Sequence, residues 1–466
     1  MVQTMTFARR IIPLLALLVG ACDTRPGSEP LTLSLIGDAP ASLKRALTQG
    51  LVSFAPDGNV EPALAERWII TDGGLSYIFR IRDSVWSNGK PVRAPDVAAI
   101  LKRAVAASPG LFSSVDSIVP MTGRIIEIRL KQPQPEFLSL MALPELGIGL
   151  KGSGTGPYFV HSRKNEVTRL RLIERKNLVA QPDEPADAKD VRVRTEAAPL
   201  AIARYASGGS AYVAGGTAAN LPYALAARLP TDQLKVEAVR GLFGLAVTRA
   251  DGPLKNRNLR LALSLALDRS AMTARFGGID WPEATTTLPD QAGSGPAPAT
   301  LEGFELSFQE RLAKARTLAG KDAKTVRIFL PQGPGMRVML ASLATNWRPL
   351  NVTVVAASRR DTSDLYLIDE VAPIASPYWY IDRLGCKQMS PCEEGTDALL
   401  RRALATETTD DRNALFRQAD SAIASAQYFI PIARPLRWSL VRGTVSGWKA
   451  SPIALHPWHR LALTAR

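Results

Sequence analysis

The sequence predicts an α/β fold divided into two or three domains. Three observations predict it: the chain has 466 residues, its composition is that of an ordinary globular protein, and short strand-like and helix-like segments alternate without repeats or low-complexity tracts. Single cores stop growing beyond about 250 to 300 residues, so this length implies division. With 46% hydrophobic and 21% charged residues the chain can build cores without a metal or disulfide staple. Disordered, collagenous and disulfide-scaffold classes are excluded by the same composition.

Taken in chain order, the first element is an address. Arg9 and Arg10 precede the uncharged stretch Ile11 to Ala21, which is shorter than the roughly 20 residues of a membrane-spanning helix and suits the apolar region of a secretory signal over residues 1–21. The stretch closes LLVGAC, which resembles the lipobox of bacterial lipoproteins. That resemblance implies diacylation of Cys22, and several acyl chains on one residue anchor durably where one does not. Asp23 implies retention at the inner membrane. An ordinary signal peptide with an incidental cysteine is the alternative. Residues 22–30, with two prolines and a glycine, suit a flexible tether. The two remaining cysteines, Cys386 and Cys392, are able to pair across a short loop in an oxidising compartment, two free thiols being the alternative.

Leu31 to Ile36 alternates as a strand. Ser307 and Glu310 form a capping box ahead of a helix that ends at Gly320, and Thr325 to Leu330 reads as a strand. A helix around Val338 to Trp347 and a β-branched strand from Asn351 to Val355 complete a strand, helix, strand unit with parallel strands. Asp397 to Ala405 and Asp410 to Gln427 read as amphipathic helices with polar starts.

No catalytic set accompanies these elements. The histidines are His161, His456 and His459, and there is no GxSxG elbow or P-loop. Gly147, Gly149 and Gly152 match GxGxxG, but Pro157 and further glycines oppose the helix that a pyrophosphate would need. His456 and His459 flank Pro457 with no carboxylate or cysteine close in sequence, which reads as a surface loop. The expectation is a protein without catalysis, cofactor or metal. The net charge is +14, two less without Arg9 and Arg10, but the basic residues are scattered and no basic run is interleaved with aromatics, so nucleic acid is not an expected partner.

The blocks QGLVSF, EPALAERW (Glu61 to Trp68), LSYIFRIRDSVWSNGKPVRAPDV (Leu75 to Val97), GTGPYFV (Gly154 to Val160), NRNLRLALSLALDR (Asn256 to Arg269) and the segment from Thr396 to Ala433 occur in that order. Together they closely resemble the solute receptors of ABC transporters that include the oligopeptide- and dipeptide-binding proteins, over nearly the whole mature chain. The resemblance implies the periplasmic-binding-protein type II fold, two lobes joined by a hinge with an extra domain, and delivery of solute to a permease and its ATPase. Domain I would comprise residues 31–48, 151–242 and 440–466, domain II residues 49–150, and domain III residues 243–439. A monomer is expected, lipid-anchored on the periplasmic side of the envelope.

The chain departs from the family at DLYLIDEVAPIASPYWYI, Asp364 to Ile381, which aligns on a segment resembling DLYLGGWGADYPDPxxFL. There the aspartate after GWGA pairs with a peptide's α-ammonium. Pro373 occupies that position, Glu370 replaces the tryptophan and Ser376 the second aspartate. The common EGL reads Gln49-Gly50-Leu51, and Arg434 follows FIPIA where relatives usually carry aromatic or neutral polar residues. Ligand-binding residues are expected at Gln49, Asp369, Glu370, Val371, Pro373, Ser376, Trp379 and Arg434. The expected ligand is an acylated or modified peptide or an anionic solute, with Glu370 or Asp369 taking over the ammonium contact as the alternative. Tyr378, Trp379 and Tyr380 form an aromatic cluster beside this segment that is able to line the cleft, core packing of two of the three being the alternative, since alternating residues of an extended run face opposite ways. A different class of function, an envelope scaffold or sensory partner that kept the fold and lost transport, is the second expectation.

Overall fold

The computed structural model describes residues 30–464 apart from 38, 109, 151, 174–189, 250 and 291–294. The leader at 1–21, Cys22 and all but the last residue of the tether lie outside the described residues.

A seven-stranded sheet is built around Leu31–Ile36, which lies at its centre between the parallel strands Asp190–Glu196 and Tyr212–Thr217. Tyr158–Lys164 and Val167–Leu172 extend it on one side, Leu436–Val441 and Leu234–Ala238 on the other. Its alternate residues supply two cores: Leu31, Leu33 and Leu35 pack with Trp458 and Leu461 of the C-terminal segment, while Ile36 and Val213 face the other way.

A five-stranded sheet runs in the order Val352–Ala356, Lys324–Phe329, Leu365–Val371, Gly241–Val247, Phe429–Ala433. Lys324–Phe329 and Val352–Ala356 are parallel neighbours joined through the helix Pro334–Trp347, the expected unit with edges shifted by a few residues. Gly241–Val247 is apolar throughout because both its faces are covered: Phe243, Leu245 and Val247 face one core, Leu242 and Ala246 another. The capping box at Ser307 is present, and Gly320 ends that helix with φ 73°.

A four-stranded sheet, Ala65–Thr71, Ser76–Ile81, Ile125–Leu130 and Val115–Pro120, packs with the helix Ala94–Ala107. Its core is continuous with the helices Pro377–Leu384, Thr396–Leu404 and Thr409–Ala426, so this unit is seated on the five-stranded half instead of standing apart. The adjoining strand pair Val52–Phe54 and Val60–Pro62 is tied to the C-terminal segment, where Arg460 donates to both oxygens of Glu61 at 2.6 and 2.7 Å.

Two domain edges differ from expectation. Leu436–Val441 belongs whole to the seven-stranded sheet and Gly241–Val247 whole to the five-stranded one, so the crossings fall at 239–240 and 434–435 and not at 242/243 and 439/440. Strand pairing decides these edges, and pairing partners are remote in sequence. Elsewhere Gly154 and Gly156 pass so close to the Leu47 backbone that a side chain at either would collide with it. The Gly156 amide donates to Leu47 at 2.9 Å there.

Candidate functional site

The two crossings between the large sheets lie side by side, the Val239 amide donating to the Pro435 carbonyl at 2.9 Å. Immediately beyond this contact come Arg240 on one crossing and Arg434 on the other. Leu365–Val371 is the middle strand of the five-stranded sheet, and its end brings Asp369, Glu370 and Val371 to the same place. Val371 lies opposite Gly241 in the ladder. One residue further, the Ala372 amide donates to the Arg240 carbonyl at 2.9 Å, which sets Arg240 beside Pro373.

Successive strand residues point to opposite faces, so the two acids find different partners. Asp369 pairs with Arg437 at 2.7 Å, both side chains about 15% exposed. Burial pushes the Asp369 carboxyl upward, and the Arg437 guanidinium opposes this. Glu370 is clasped by Arg383, whose Nε and Nη2 each donate to one carboxylate oxygen at 2.6 Å. Neither acid offers a free carboxylate in this arrangement, which tells against the ammonium role considered for them.

Arg434 is engaged with neutral acceptors. Its Nη2 donates to the Leu288 carbonyl at 3.0 Å and reaches Thr286 Oγ1 at 3.4 Å, while Nη1 reaches the Thr287 carbonyl at 3.4 Å. Burial lowers its pKa. Among the described residues neither Arg434 nor Arg240 takes part in an ion pair. The balance at the crossings is therefore positive: two acids, each matched by an arginine, and two further arginines unmatched.

The aromatic segment corrects the extended reading. Ser376 accepts the Tyr378 amide as N-cap and Pro377 takes the first position of the helix Pro377–Leu384. Tyr378 and Tyr380 are buried, and Trp379 is half-buried with its ring edge-on to Tyr380 at 5.0 Å. Ser376 also reaches Glu136 of the four-stranded unit at 3.4 Å. Gln49 lies at a different crossing, where its side-chain amide donates to the Thr155 carbonyl at 2.7 Å. Cys386 and Cys392 form a disulfide just after the same helix.

His456 is not on an open loop. Its Nε2 lies 2.9 Å from Glu237 and its ring stacks on Trp448 at 5.1 Å, with the imidazole nearly inaccessible. Arg240, Arg383 and Arg437 are the site residues that sequence reasoning missed; Tyr380 enters there only as one of an aromatic cluster. Arg240 carried one faint signal, since it immediately precedes the apolar strand Gly241–Val247, whereas Arg437 lies inside the strand Leu436–Val441. A cavity of ≈ 300 Å³ lies apart from the crossings, between Lys131 and Gln132 of the four-stranded unit and Asp382, Lys387 and Arg401.

Among the described residues no helix is long and apolar enough to cross a membrane. The family model for bacterial extracellular solute-binding proteins, family 5 (middle), matches residues 59–384. The probable deoxycholate-binding periplasmic protein YgiS of Escherichia coli K12 is 25% identical, covering 86% of this chain and 85% of its own. Di/tripeptide-binding protein 2 of Pseudomonas aeruginosa UCBPP-PA14 is 24% identical, covering 90% and 89%. The murein tripeptide-binding protein MppA of E. coli superposes with a TM-score of 0.80 at 19% identity over 94% of this chain and 99% of its own, which shows the shared type II fold. These relatives are named as solute-binding proteins and not as enzymes, and the chain belongs to the bacterial extracellular solute-binding proteins of family 5.

Proposed function

We propose that this protein is the extracytoplasmic receptor of an ABC importer, taking a solute between its two large sheets by closure about the paired crossings and passing it to a permease and ATPase. A Cys22 lipid anchor on the periplasmic side, retained at the inner membrane by Asp23, belongs to the same proposal.

 The reading is supported by one observation above the others: two hydrogen-bonded crossings join the sheets, and four arginines and two acids gather where they meet. Two adjacent connections act as a hinge, because a few residues at element ends absorb the rotation.

The solute is a peptide or peptide-like molecule whose recognition does not depend on a free α-ammonium. Pro373 carries no charge, and Asp369 and Glu370 are held by Arg437 and Arg383. One relative bears a name for di/tripeptides and another a name for deoxycholate, so both are apt probes. Calorimetry of the full chain with trialanine, N-acetyl-trialanine and deoxycholate, with small-angle scattering alongside, tests the reading. Saturable binding of at least one probe with a contraction of the particle is expected. Binding that requires the free amine of trialanine would overturn the ligand class, and no binding together with an unchanged particle would overturn the receptor.

A further inference from the structure

The Arg240 guanidinium is the unusual group of this molecule. Its Nε and Nη2 are both buried and have no hydrogen-bond acceptor, and the buried Tyr380 hydroxyl, which the Gly241 amide approaches, has no acceptor for its own proton. The Arg240 backbone is held on both sides, by the Pro452 carbonyl at 2.8 Å and the Ala372 amide at 2.9 Å, so the side chain has a fixed origin. Its Nη2 lies beside Gly58, in the turn between the paired strands Val52–Phe54 and Val60–Pro62, and Pro452 lies beside the same glycine. The Arg240 and Arg434 charges both act on the Tyr380 hydroxyl, which places the three groups together.

A buried cation with orphaned donors is costly, and native structures satisfy nearly all such groups. The orphaned atoms are also a particular pair. Nε and Nη2 form one edge of the guanidinium fork, the same edge with which Arg383 takes both oxygens of Glu370 in this protein. That edge matches a planar carboxylate with two parallel hydrogen bonds. No protein carboxylate reaches Arg240, since Asp369 and Glu370 are committed elsewhere. Tyr380 stands where the family segment has phenylalanine, so its hydroxyl is an added donor at the same spot.

We propose that the Nε–Nη2 edge of Arg240, assisted by the Tyr380 hydroxyl, receives a carboxylate of the solute at the hinge. Arg434 contributes charge from behind while it stays bound to the 286–288 segment. The carboxylate enters when the halves part, and closure then encloses a matched ion pair where the empty protein encloses a lone cation. The inference rests on the receptor reading above and specifies the chemistry of that site.

The test uses a tryptic digest of casein, offered to the full chain untreated, N-acetylated or methyl-esterified, with bound peptides counted by mass spectrometry and melting temperature recorded. Untreated and N-acetylated digests are expected to be captured alike, and the esterified digest at least tenfold less. Arg240→Gln is expected to melt no lower than the parent without solute, because a buried unpaired charge is removed, and to lose at least tenfold in capture and the preference over the ester. Tyr380→Phe is expected to lose a few-fold with the preference reduced. Equal capture of esterified peptides overturns the inference and leaves the receptor standing, and so does an Arg240→Gln protein that captures normally. An Arg240→Gln protein that melts lower without solute makes the arginine a structural group and overturns the inference too. Capture from none of the three digests overturns both readings.

Discussion

Replacing Asp420 by asparagine should make this protein more stable at neutral pH and leave it little changed in acid. Asp420 sits on the buried face of the helix Thr409–Ala426 beside Ala419 and Ile423, 1% exposed. One carboxylate oxygen accepts the Ala299 amide at 2.7 Å and the other has no partner. Burial pushes its pKa up to about 6, against the opposing pull of the Ala299 amide and Arg434. An unfolded aspartate titrates near 3.9, so the folded state holds the proton more tightly. The resulting stability is fully present below about pH 4 and is lost as pH rises through about 6, roughly 3 kcal/mol in all at 1.36 kcal/mol per unit. Asparagine keeps an oxygen for Ala299 and never ionises. Any fixed cost of its amide group is the same at every pH, so the informative quantity is how the difference between variant and parent changes. Urea unfolding of both proteins from pH 4.5 to 8 should show the difference moving in favour of Asp420→Asn by about 2 kcal/mol. A difference that stays flat across this range would mean that Asp420 titrates normally in the folded protein, and the burial argument would fail.

The Asp369–Arg437 pair joins the two large sheets, so Asp369→Asn or Arg437→Met alone should cost about 3 to 5 kcal/mol in urea unfolding, and the double variant much less than the sum. Ser376→Ala removes an N-cap and should cost about 1 kcal/mol, read by thermal unfolding. Gly156→Ala drives a methyl group into the backbone of residues 46–48 and should cost at least about 2 kcal/mol, with lower soluble yield. Cys386→Ser with Cys392→Ser opens a short closed loop and should lower stability by about 2 kcal/mol, an effect that reductant reproduces in the parent protein.

Local signals in this sequence were legible, and tertiary ones were not. The capping box at Ser307 and Glu310 is a contact between residues three apart, and the structure contains it. The strand Leu31–Ile36 was readable from its alternation because its two faces enter different surroundings. The aromatic run after Ser376 is helical and not extended, because Ser376, which stands in place of an aspartate of the family segment, forms a helix start with Pro377. Asp369 and Glu370 were recognisable as site acids, but not that both are occupied, since Arg437 lies 68 residues from Asp369. His456 shows the same limit, its partner Glu237 being 219 residues away. Arg240 escaped notice because its distinguishing property is an unmet hydrogen-bonding capacity, which depends on everything around it.

Leu31–Ile36 lies in the middle of its sheet with parallel neighbours along both flanks, and Trp458 and Leu461 from the other end of the chain share its core. Both ends of the described chain thus belong to one half of the molecule. A leash attached ahead of residue 30 would fix that half and leave the other as the travelling jaw. A tug on the leash would load the central strand lengthwise, in shear, where the backbone bonds on both flanks resist together and the other half is left out of the loaded path.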